Sequence, residues 1–274
     1  MCDEISCGAD YSDMPPIEVP EQKRRAFIKG LASLPLAAIL ADPVLAAAAA
    51  KGVETVSIKT AGGAMTSAVV AYPEQANAPT LLLIHEWWGL NDQIKAVAQE
   101  FANEGFLTIA VDMYNGKVAS KREDAMKYMK GMDMATAKES VVAWVNWLKA
   151  NPKGNGKVAT LGWCFGGGWS LEASLLAPVD ATVIYYGRVT KSAAQLASLS
   201  SPILGHFGTL DKSINEKMVG KFEKALDEAG KKDYTHHWYT ANHAFANPTG
   251  ARYDADDAAL AWSRSLAFLH KHLG

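Results

Sequence analysis

Apolar runs of strand length alternate with amphipathic segments from about residue 53 to the end of the 274-residue chain. Unbroken apolar runs of this length are typical of strands that are buried on both faces of a sheet. The runs that predict strands are TLLLIHE (80–86), FLTIAVDMY (106–114), KVATLGW (157–163), ATVIYYG (181–187), PILGHFGTLD (202–211) and YTHHWYT (234–240). Before them, ETVSIKT (54–60) and TSAVVAY (66–72) flank a turn-rich AGGA and predict a strand pair.

Helical periodicity fills the stretches between these strands. In the first of them, Ile94, Val97 and Phe101 share one face, and Asn91 or Asp92 can cap the start. Further helices are predicted at about 122–132, 137–149, near 193, at 215–228, and in a closing segment that carries Trp262, Leu266 and Leu269. This alternation predicts a single α/β domain over residues 51–274, with a mostly parallel sheet, helices on both faces and no large lid.

The first 50 residues have a different composition and predict an export leader. KRRAFIKG (23–30) precedes a weakly apolar stretch that ends in a run of alanines. The twin arginines Arg24 and Arg25, followed by small residues suited to a signal peptidase, resemble a twin-arginine signal peptide. The alternative is an uncleaved amphipathic or membrane-anchoring helix, against which Pro35, Asp42 and Pro43 argue. We expect residues 1–50 to engage the twin-arginine export machinery and the mature chain to be periplasmic.

Composition limits the partners of the mature chain. The whole chain has 27 basic and 29 acidic residues, so it offers no strong electrostatic footprint for nucleic acid. Of three cysteines, Cys2 and Cys7 lie in the predicted leader, which leaves Cys164 with no cysteine to pair with after cleavage. The chain has no structural-zinc spacing. We expect no metal or cofactor, no membrane contact after export, and a monomer.

The stretch GWCFGGGWS (162–170) is the first candidate for chemistry. It follows a predicted strand, opens a predicted helix and has the spacing G-x-nucleophile-x-G of a nucleophile elbow, with Cys164 at its centre. The amides at the start of that helix would stabilise a thiolate or an oxyanion. A phosphate cradle is the alternative, but neither GxGxxG nor a Walker motif is present. Cys164 could also be a small core residue.

Two further side chains follow in an order that suits catalysis. Asp211 comes after one predicted strand and His243 after the last, and Glu86 ends an earlier one. The order nucleophile, acid, histidine is that of α/β-hydrolases, in which the carboxylate orients the imidazole. Asp211 alone could be a helix cap, His243 alone a loop residue, and Glu86 alone a solvated strand end. Four reactive side chains at the same edge of the sheet favour a catalytic site.

Together these motifs resemble the dienelactone hydrolase family. The residues that carry the resemblance are IHEWWGLN (84–91), DMYNG (112–116), GWCFGGG (162–168), YYG (185–187), GTLD (208–211) and HAFANP (243–248). The resemblance implies an α/β-hydrolase fold with Cys164 as nucleophile and Asp211 and His243 completing the triad. It also implies that Glu86 accepts the cysteine proton, and that the backbone amides of Trp87 and Phe165 form the oxyanion hole. A carboxylate near the thiol would also keep Cys164 protonated until substrate enters.

The sequence departs from the family where the substrate carboxylate binds. Two arginines expected there correspond to Gly116 and Asn247, neither of which can form a bidentate pair. Lys117, Arg188 or Arg252 could replace them from nearby positions. Trp87, Trp88, Tyr114 and Tyr186 could form an aromatic pocket wall, or could be ordinary packing.

The predicted function is hydrolysis of a small ester or lactone, carboxymethylenebutenolidase-like, through an acyl-enzyme on Cys164. Two alternatives remain at this stage. One is a hydrolase of neutral esters or thioesters on the same scaffold, which the missing arginines favour. The other is a catalytically silent periplasmic binding module, because a fold does not determine its function.

Overall fold

The computed structural model describes residues 17–29 and 34–274. These residues contain one eight-stranded sheet in the order β1-β2-β4-β3-β5-β6-β7-β8. The strands are β1 (Glu54–Lys59), β2 (Met65–Ala71), β3 (Ala78–Ile84), β4 (Leu107–Val111), β5 (Gly154–Trp163), β6 (Ala181–Tyr185), β7 (Ile203–Gly208) and β8 (Tyr234–Tyr239). Strand β2 pairs antiparallel with both β1 and β4, and every other neighbouring pair is parallel. The predicted α/β-hydrolase fold is confirmed.

Ten α-helices accompany the sheet within the described residues. They are α1 (Glu21–Ile28), α2 (Leu36–Ala41), α3 (Pro43–Ala49), α4 (Asp92–Asn103), α5 (Arg122–Lys130), α6 (Met134–Ala150), α7 (Phe165–Leu176), α8 (Ala193–Leu196), α9 (Glu216–Glu228) and α10 (Ala255–Leu273). Every residue of β4 and β6 is buried, so helices cover both faces of the sheet there. Helices α4 and α10 meet where the rings of Phe101 and Trp262 lie 4.4 Å apart.

Some helices begin at a different residue from the predicted one, because a side-chain cap sets the first turn. Helix α6 begins at Met134 rather than Ala137, because the Asp133 carboxylate accepts a hydrogen bond from the amide of Thr136 at 2.7 Å. Of the two possible caps for α4, Asn91 is the one used, and its side chain accepts from the amide of Ile94. Caps therefore set boundaries that hydrophobic periodicity leaves open by a few residues.

Part of the predicted leader packs against the hydrolase domain. Helices α2 and α3 lie against α4, and Leu45 and Ala46 are almost completely buried. Asp42 caps α3 and accepts a hydrogen bond from the Nε of Arg24 at 2.8 Å, so one of the twin arginines is engaged within the chain. Residues 1–16 and 30–33 of the predicted leader lie outside the described residues. No helix in the described part of the chain is long and apolar enough to cross a membrane.

The carboxyl ends of the parallel strands converge on one edge of the sheet. Glu86 follows β3, Cys164 follows β5, Tyr186 follows β6, Asp211 follows β7 and His243 follows β8. Four of the five were predicted catalytic residues, and all five are buried. The topology therefore brings together side chains that are up to 157 positions apart in the sequence.

Candidate active site

Cys164 occupies a strained turn between β5 and α7. Its backbone dihedral angles are φ 53° and ψ −113°, a region that residues with a side chain rarely adopt. A β-carbon at Gly162 would lie 2.1 Å from the carbonyl oxygen of Gly166, and one at Gly166 would lie 2.0 Å from that of Ile84. Both contacts are with backbone, which cannot move aside cheaply. The glycines on either side of Cys164 are therefore required by the close approach of strand, turn and helix.

His243 and Asp211 form a buried hydrogen-bonded pair. The Nδ1 atom of His243 lies 2.6 Å from Oδ2 of Asp211, and both side chains are at most 3% exposed. The other carboxylate oxygen of Asp211 accepts from the amides of Ser213 and Ile214. Burial raises the pKa of Asp211, but the hydrogen bond and charge of His243, together with these amides, outweigh it and lower the pKa below its usual value. The ionised carboxylate thus fixes Nδ1 as the protonated nitrogen and presents Nε2 as the base.

The Nε2 atom of His243 is buried and has no hydrogen-bond partner among the described residues. The next residue, Ala244, has φ 63°, which turns the chain sharply after the imidazole. Nearly all buried polar atoms in proteins are paired, so a buried nitrogen without a protein partner calls for an explanation such as a catalytic role. This arrangement suits a base that waits for a thiol or a water molecule.

Four other histidines, His85, His206, His236 and His237, lie elsewhere or bond to other groups. His206 is fully buried within β7, bonds to the hydroxyls of Tyr239 and Ser265, and has a pKa well below its usual value because burial disfavours its charge. His85 packs against the rings of Tyr114 and Phe165, and its Nε2 accepts a hydrogen bond from the amide of Met113. Burial lowers the pKa of His85 to about 4, so it stays neutral. His236 and His237 lie in β8, away from the loop that carries His243.

Glu86 is held by the side chain of Asn247. The carboxylate is 6% exposed, and its Oε2 accepts a hydrogen bond from Nδ2 of Asn247 at 2.6 Å. The Oδ1 of Asn247 accepts from Nε2 of Gln93 at 3.0 Å, and from the amide and hydroxyl of Thr249 at 3.0 and 2.7 Å. Three donors on Oδ1 leave only one orientation for the amide, with its NH₂ group toward Glu86. Asn247 thus occupies a predicted pocket position but binds an enzyme carboxylate.

Tyr186 lies among the candidate catalytic groups. Its hydroxyl is 3.5 Å from Oε1 of Glu86, and its ring centroid is 5.2 Å from that of His243. Burial raises the pKa of Tyr186 well above its usual value, and the nearby negative charge of Glu86 and of Cys164 raises it further. Tyr186 also has a positive φ of 35°. The phenol therefore stays protonated and able to donate a hydrogen bond.

The predicted oxyanion amides lie on two elements that approach closely. Phe165 is the first residue of α7, so its N–H has no partner within the helix. Trp87 follows Glu86 in the loop after β3. The contact of Gly166 with the carbonyls of Ile84 and His85 brings these two elements together. The start of α7 also carries the positive end of the helix dipole.

The remaining predicted pocket residues divide between two surfaces. Tyr114 packs against His85 and Phe165, with ring centroids 4.9 and 5.7 Å away, and Trp88 packs on Trp87. Lys117 is exposed, and its ammonium lies 5.6 Å from the ring centroid of Tyr128, in a groove separate from Glu86 and Asn247. Arg188 is half-buried beside Gly168 near the start of α7, and Arg252 is half-buried in the loop after His243.

Sequence reasoning missed Gln93 and Thr249, the two residues that orient Asn247. The only available signal was their position, in or next to the family-like stretches that carry Glu86 and His243. Among the described residues, no group of three or more His, Cys, Asp or Glu side chains is arranged to hold a metal ion.

Comparisons with known proteins agree with the architecture. The model of the dienelactone hydrolase family matches residues 66–273. Carboxymethylenebutenolidase 1 of Cupriavidus pinatubonensis is 25% identical over 224 residues, which cover 78% of this chain and 95% of that protein. Protein usf of Aquifex pyrophilus is 32% identical over 210 residues, which cover 71% of this chain and 89% of that protein.

A solved structure shows the same fold. The crystal structure of a putative dienelactone hydrolase from Klebsiella pneumoniae superposes with a TM-score of 0.71 at 22% identity, covering 80% of this chain and 99% of that one. The family match spans most of the chain and includes the strained turn, the Asp211–His243 pair and Glu86. The chain therefore belongs to the dienelactone hydrolase family and is a hydrolase of that kind.

Proposed function

We propose that the protein hydrolyses a carboxylic ester or lactone with Cys164 as the nucleophile. The observation that carries the proposal is the buried Asp211–His243 pair at the sheet edge that also bears Cys164 on its strained turn. A silent binding module would not need an oriented imidazole whose second nitrogen has no partner among the described residues.

In the first half of the reaction the thiol adds to the carbonyl carbon. Glu86 accepts the Sγ proton as substrate enters, and the thiolate attacks to form a tetrahedral intermediate. The amides of Trp87 and Phe165 donate to its oxyanion, assisted by the dipole of α7. The intermediate collapses, the C–O bond to the leaving group breaks, and the departing alkoxide takes the proton that Glu86 had accepted from Sγ. The product of this half is a thioester on Cys164.

In the second half water cleaves the thioester. His243 takes a proton from water through Nε2, while Asp211 stabilises the imidazolium that forms. Hydroxide adds to the acyl carbon, and the C–S bond breaks as the thiolate leaves. The carboxylic acid departs, and the imidazolium of His243 gives its proton to Sγ, which restores the resting enzyme. Each step uses a group of this chain, so the mechanism calls for no cofactor.

A neutral ester is the second candidate substrate, and one observation favours it. The family's carboxylate-binding arginines correspond to exposed Gly116 and to Asn247, whose amide is already bound to Glu86. A substrate carboxylate would therefore meet an enzyme carboxylate with no arginine beside it from either position. This supports an ester or thioester without a negative charge as the substrate.

Two substrates and two variants test the proposal. A carboxylate-bearing enol lactone and a neutral aryl ester are each offered to the full-length protein, to Cys164→Ala and to the control Ser200→Ala, which changes an exposed serine outside the site. We expect Cys164-dependent turnover of at least one substrate. Turnover of the lactone would identify the protein as a dienelactone hydrolase in the strict sense. Turnover of the ester alone would select the neutral ester as the substrate. Activity that survives in Cys164→Ala would refute the proposal.

We also propose that residues 1–50 are a twin-arginine leader that carries the folded enzyme to the periplasm. The pattern of Arg24, Arg25, an apolar stretch and a run of alanines supports this. Cleavage near residue 50 would remove α2 and α3 and expose the face of α4 on which they pack. N-terminal sequencing of the protein from a periplasmic extract tests the boundary. A mature chain that begins before residue 36 would refute it.

A further inference from the structure

A cavity of about 400 Å³ lies beside Glu86 and is bounded by α2, α4, α10 and the loop after His243. Its walls are mostly apolar and include Leu36, Leu40, Ile94, Val97, Ala258 and Trp262. We call this space the apolar chamber. Its volume lies within the range of small-molecule sites, which is about 300–1,000 Å³. Since one water molecule takes up about 30 Å³ in the liquid, the chamber has room for about a dozen groups of that size, such as methylenes.

One end of the chamber is polar, but its polar groups are already engaged with each other. Glu86, Gln93 and Asn247 line this end. The Oδ1 of Asn247 accepts from Gln93 and Thr249, and its Nδ2 donates to Glu86. A ligand that bonded to the amide would have to compete with these contacts. The polar end therefore offers little to a strongly polar substrate group.

The charge of the chamber excludes anions. Glu86 and Glu100 are its ionisable acids, and none of the described residues that line it is lysine, arginine or histidine. A substrate carboxylate placed here would lose its hydration and face like charge, without a cation to compensate. Exclusion of this kind contributes to specificity as much as favourable contacts do.

We propose that the apolar chamber binds an uncharged aliphatic group of the ester, next to the scissile carbonyl. The group would extend from the catalytic residues past Glu86 and Tyr186, and along the faces of α4 and α10 toward Leu36. This inference rests on the proposed function and names its substrate class: neutral esters with a medium-length aliphatic chain. Cleavage of the proposed leader would leave the walls on α4, α10 and the loop after His243 and would remove the α2 wall, which is present in the full-length chain. The full-length chain is therefore the protein to assay.

A homologous series of aryl esters tests the chamber. Acetate, butyrate and hexanoate esters of the same phenol differ only in the number of methylenes. Each buried methylene is expected to raise kcat/KM about fourfold, which corresponds to about 0.8 kcal/mol. We expect kcat/KM for the hexanoate to exceed that for the acetate at least tenfold. A hexanoate analogue with a terminal carboxylate is expected to fall at least tenfold below it, because Glu86 and Glu100 line the chamber without a cation. An analogue with a terminal trimethylammonium group is measured beside it and is expected not to exceed the hexanoate.

A variant pair on α10 links the chain-length preference to the chamber. Ala258 lines the chamber and is half-buried, whereas Ala267 is exposed on the same helix and does not line it. Ala258→Phe fills the space and is expected to lower the hexanoate-to-acetate ratio at least fivefold. Ala267→Phe adds the same side chain and is expected to leave the ratio unchanged. Ala258→Met is a milder filling variant, to be used if the phenylalanine impairs folding as judged by thermal melting.

The outcomes separate this inference from the proposed function. Equal kcat/KM along the series, with turnover that still requires Cys164, would overturn the chamber proposal and leave the hydrolase proposal standing. A preference for the carboxylate or the ammonium ester would overturn the uncharged class. An unchanged hexanoate-to-acetate ratio in a folded Ala258→Phe or Ala258→Met variant would also overturn the chamber proposal. Loss of Cys164 dependence, or no turnover of any ester, would contradict the proposed function on which the inference rests.

Discussion

The variant Asn247→Asp replaces the side-chain NH₂ group that donates a hydrogen bond to Glu86 with a carboxylate oxygen. Oδ1 of Asn247 is held by Gln93 and Thr249, so an aspartate in the same position keeps those bonds. Its second oxygen then replaces Nδ2, which lies 2.6 Å from Oε2 of Glu86. An N–H···O hydrogen bond becomes a contact between two carboxylates. If both were ionised, they would repel each other.

The size of the effect follows from this distance. With an effective dielectric constant of about 20, two like charges 2.6 Å apart repel by about 6 kcal/mol. One pKa unit corresponds to about 1.4 kcal/mol, so one carboxyl of the pair would keep its proton up to about pH 8. Rotation of the two side chains away from each other would reduce this value. The second proton of the pair therefore dissociates several units above the usual range of a carboxyl group, whereas the first does not.

The sign of the stability change follows from proton binding. Above about pH 4.3 the unfolded chain loses this proton, while the folded pair keeps it. The folded state then binds more protons, so the free energy of unfolding falls as pH rises, by about 1.4 kcal/mol per unit. Relative to the parent, Asn247→Asp should lose about 3–4 kcal/mol at pH 7 and almost nothing at pH 4. The loss should level off above the raised pKa.

Urea unfolding at intervals from pH 4.5 to pH 9 measures this difference. Asn146→Asp is the control. Asn146 is exposed on α6, so the substitution adds the same charge outside the site and away from Glu86. Its effect should stay within about 0.5 kcal/mol at every pH. A stability difference for Asn247→Asp that does not depend on pH would refute the reasoning, since it would mean that Nδ2 does not face Glu86 in solution.

Three further predictions concern the elbow, the triad and the leader. Gly166→Ala should destabilise the fold by at least about 1–3 kcal/mol, because the new β-carbon would lie 2.0 Å from a backbone oxygen. Gly220→Ala is the control: its position in the interior of α9 is open, so it should stabilise the fold by about 0.5–1 kcal/mol. Thermal melting measures both variants, and equal effects would contradict the elbow geometry. Asp211→Asn should preserve the fold but lower kcat by about 10⁴, because it favours the wrong imidazole tautomer; a loss below tenfold would argue against the triad. Replacing Arg24 and Arg25 together with lysine should keep the protein in the cytoplasm, as immunoblots of cell fractions would show, and unaltered export would exclude a twin-arginine route.

Much of the fold was predictable because its signals are local. The apolar runs of β3 to β7 lie within a few residues of their predicted positions, since strands buried on both faces leave an unbroken pattern. The elbow was also visible in the sequence. Gly162 and Gly166 have a fixed spacing around Cys164, and the structure supplies the reason in the two backbone contacts of about 2 Å that β-carbons there would make.

Long-range contacts were not predictable in the same way. The sequence shows asparagine where an arginine was expected, but the bond from Asn247 to Glu86 joins residues 161 positions apart. Its direction depends on Thr249 in the same loop and on Gln93, which is 154 positions away at the start of α4. The packing of α2 and α3 on α4 was missed for another reason. Alanine-rich, weakly apolar stretches occur both in leaders and in small helices, and composition does not separate the two.

The most direct test of Cys164 as the nucleophile is to trap the acyl-enzyme. Protein mixed with excess neutral aryl ester is quenched in acid within the first turnovers, and the intact mass and the peptide containing Cys164 are measured. We predict a mass increase equal to one acyl group, located on Cys164, that decays when substrate is exhausted and is absent from Cys164→Ala. Steady turnover with no acyl group on Cys164, or an acyl group on another residue, would contradict the mechanism.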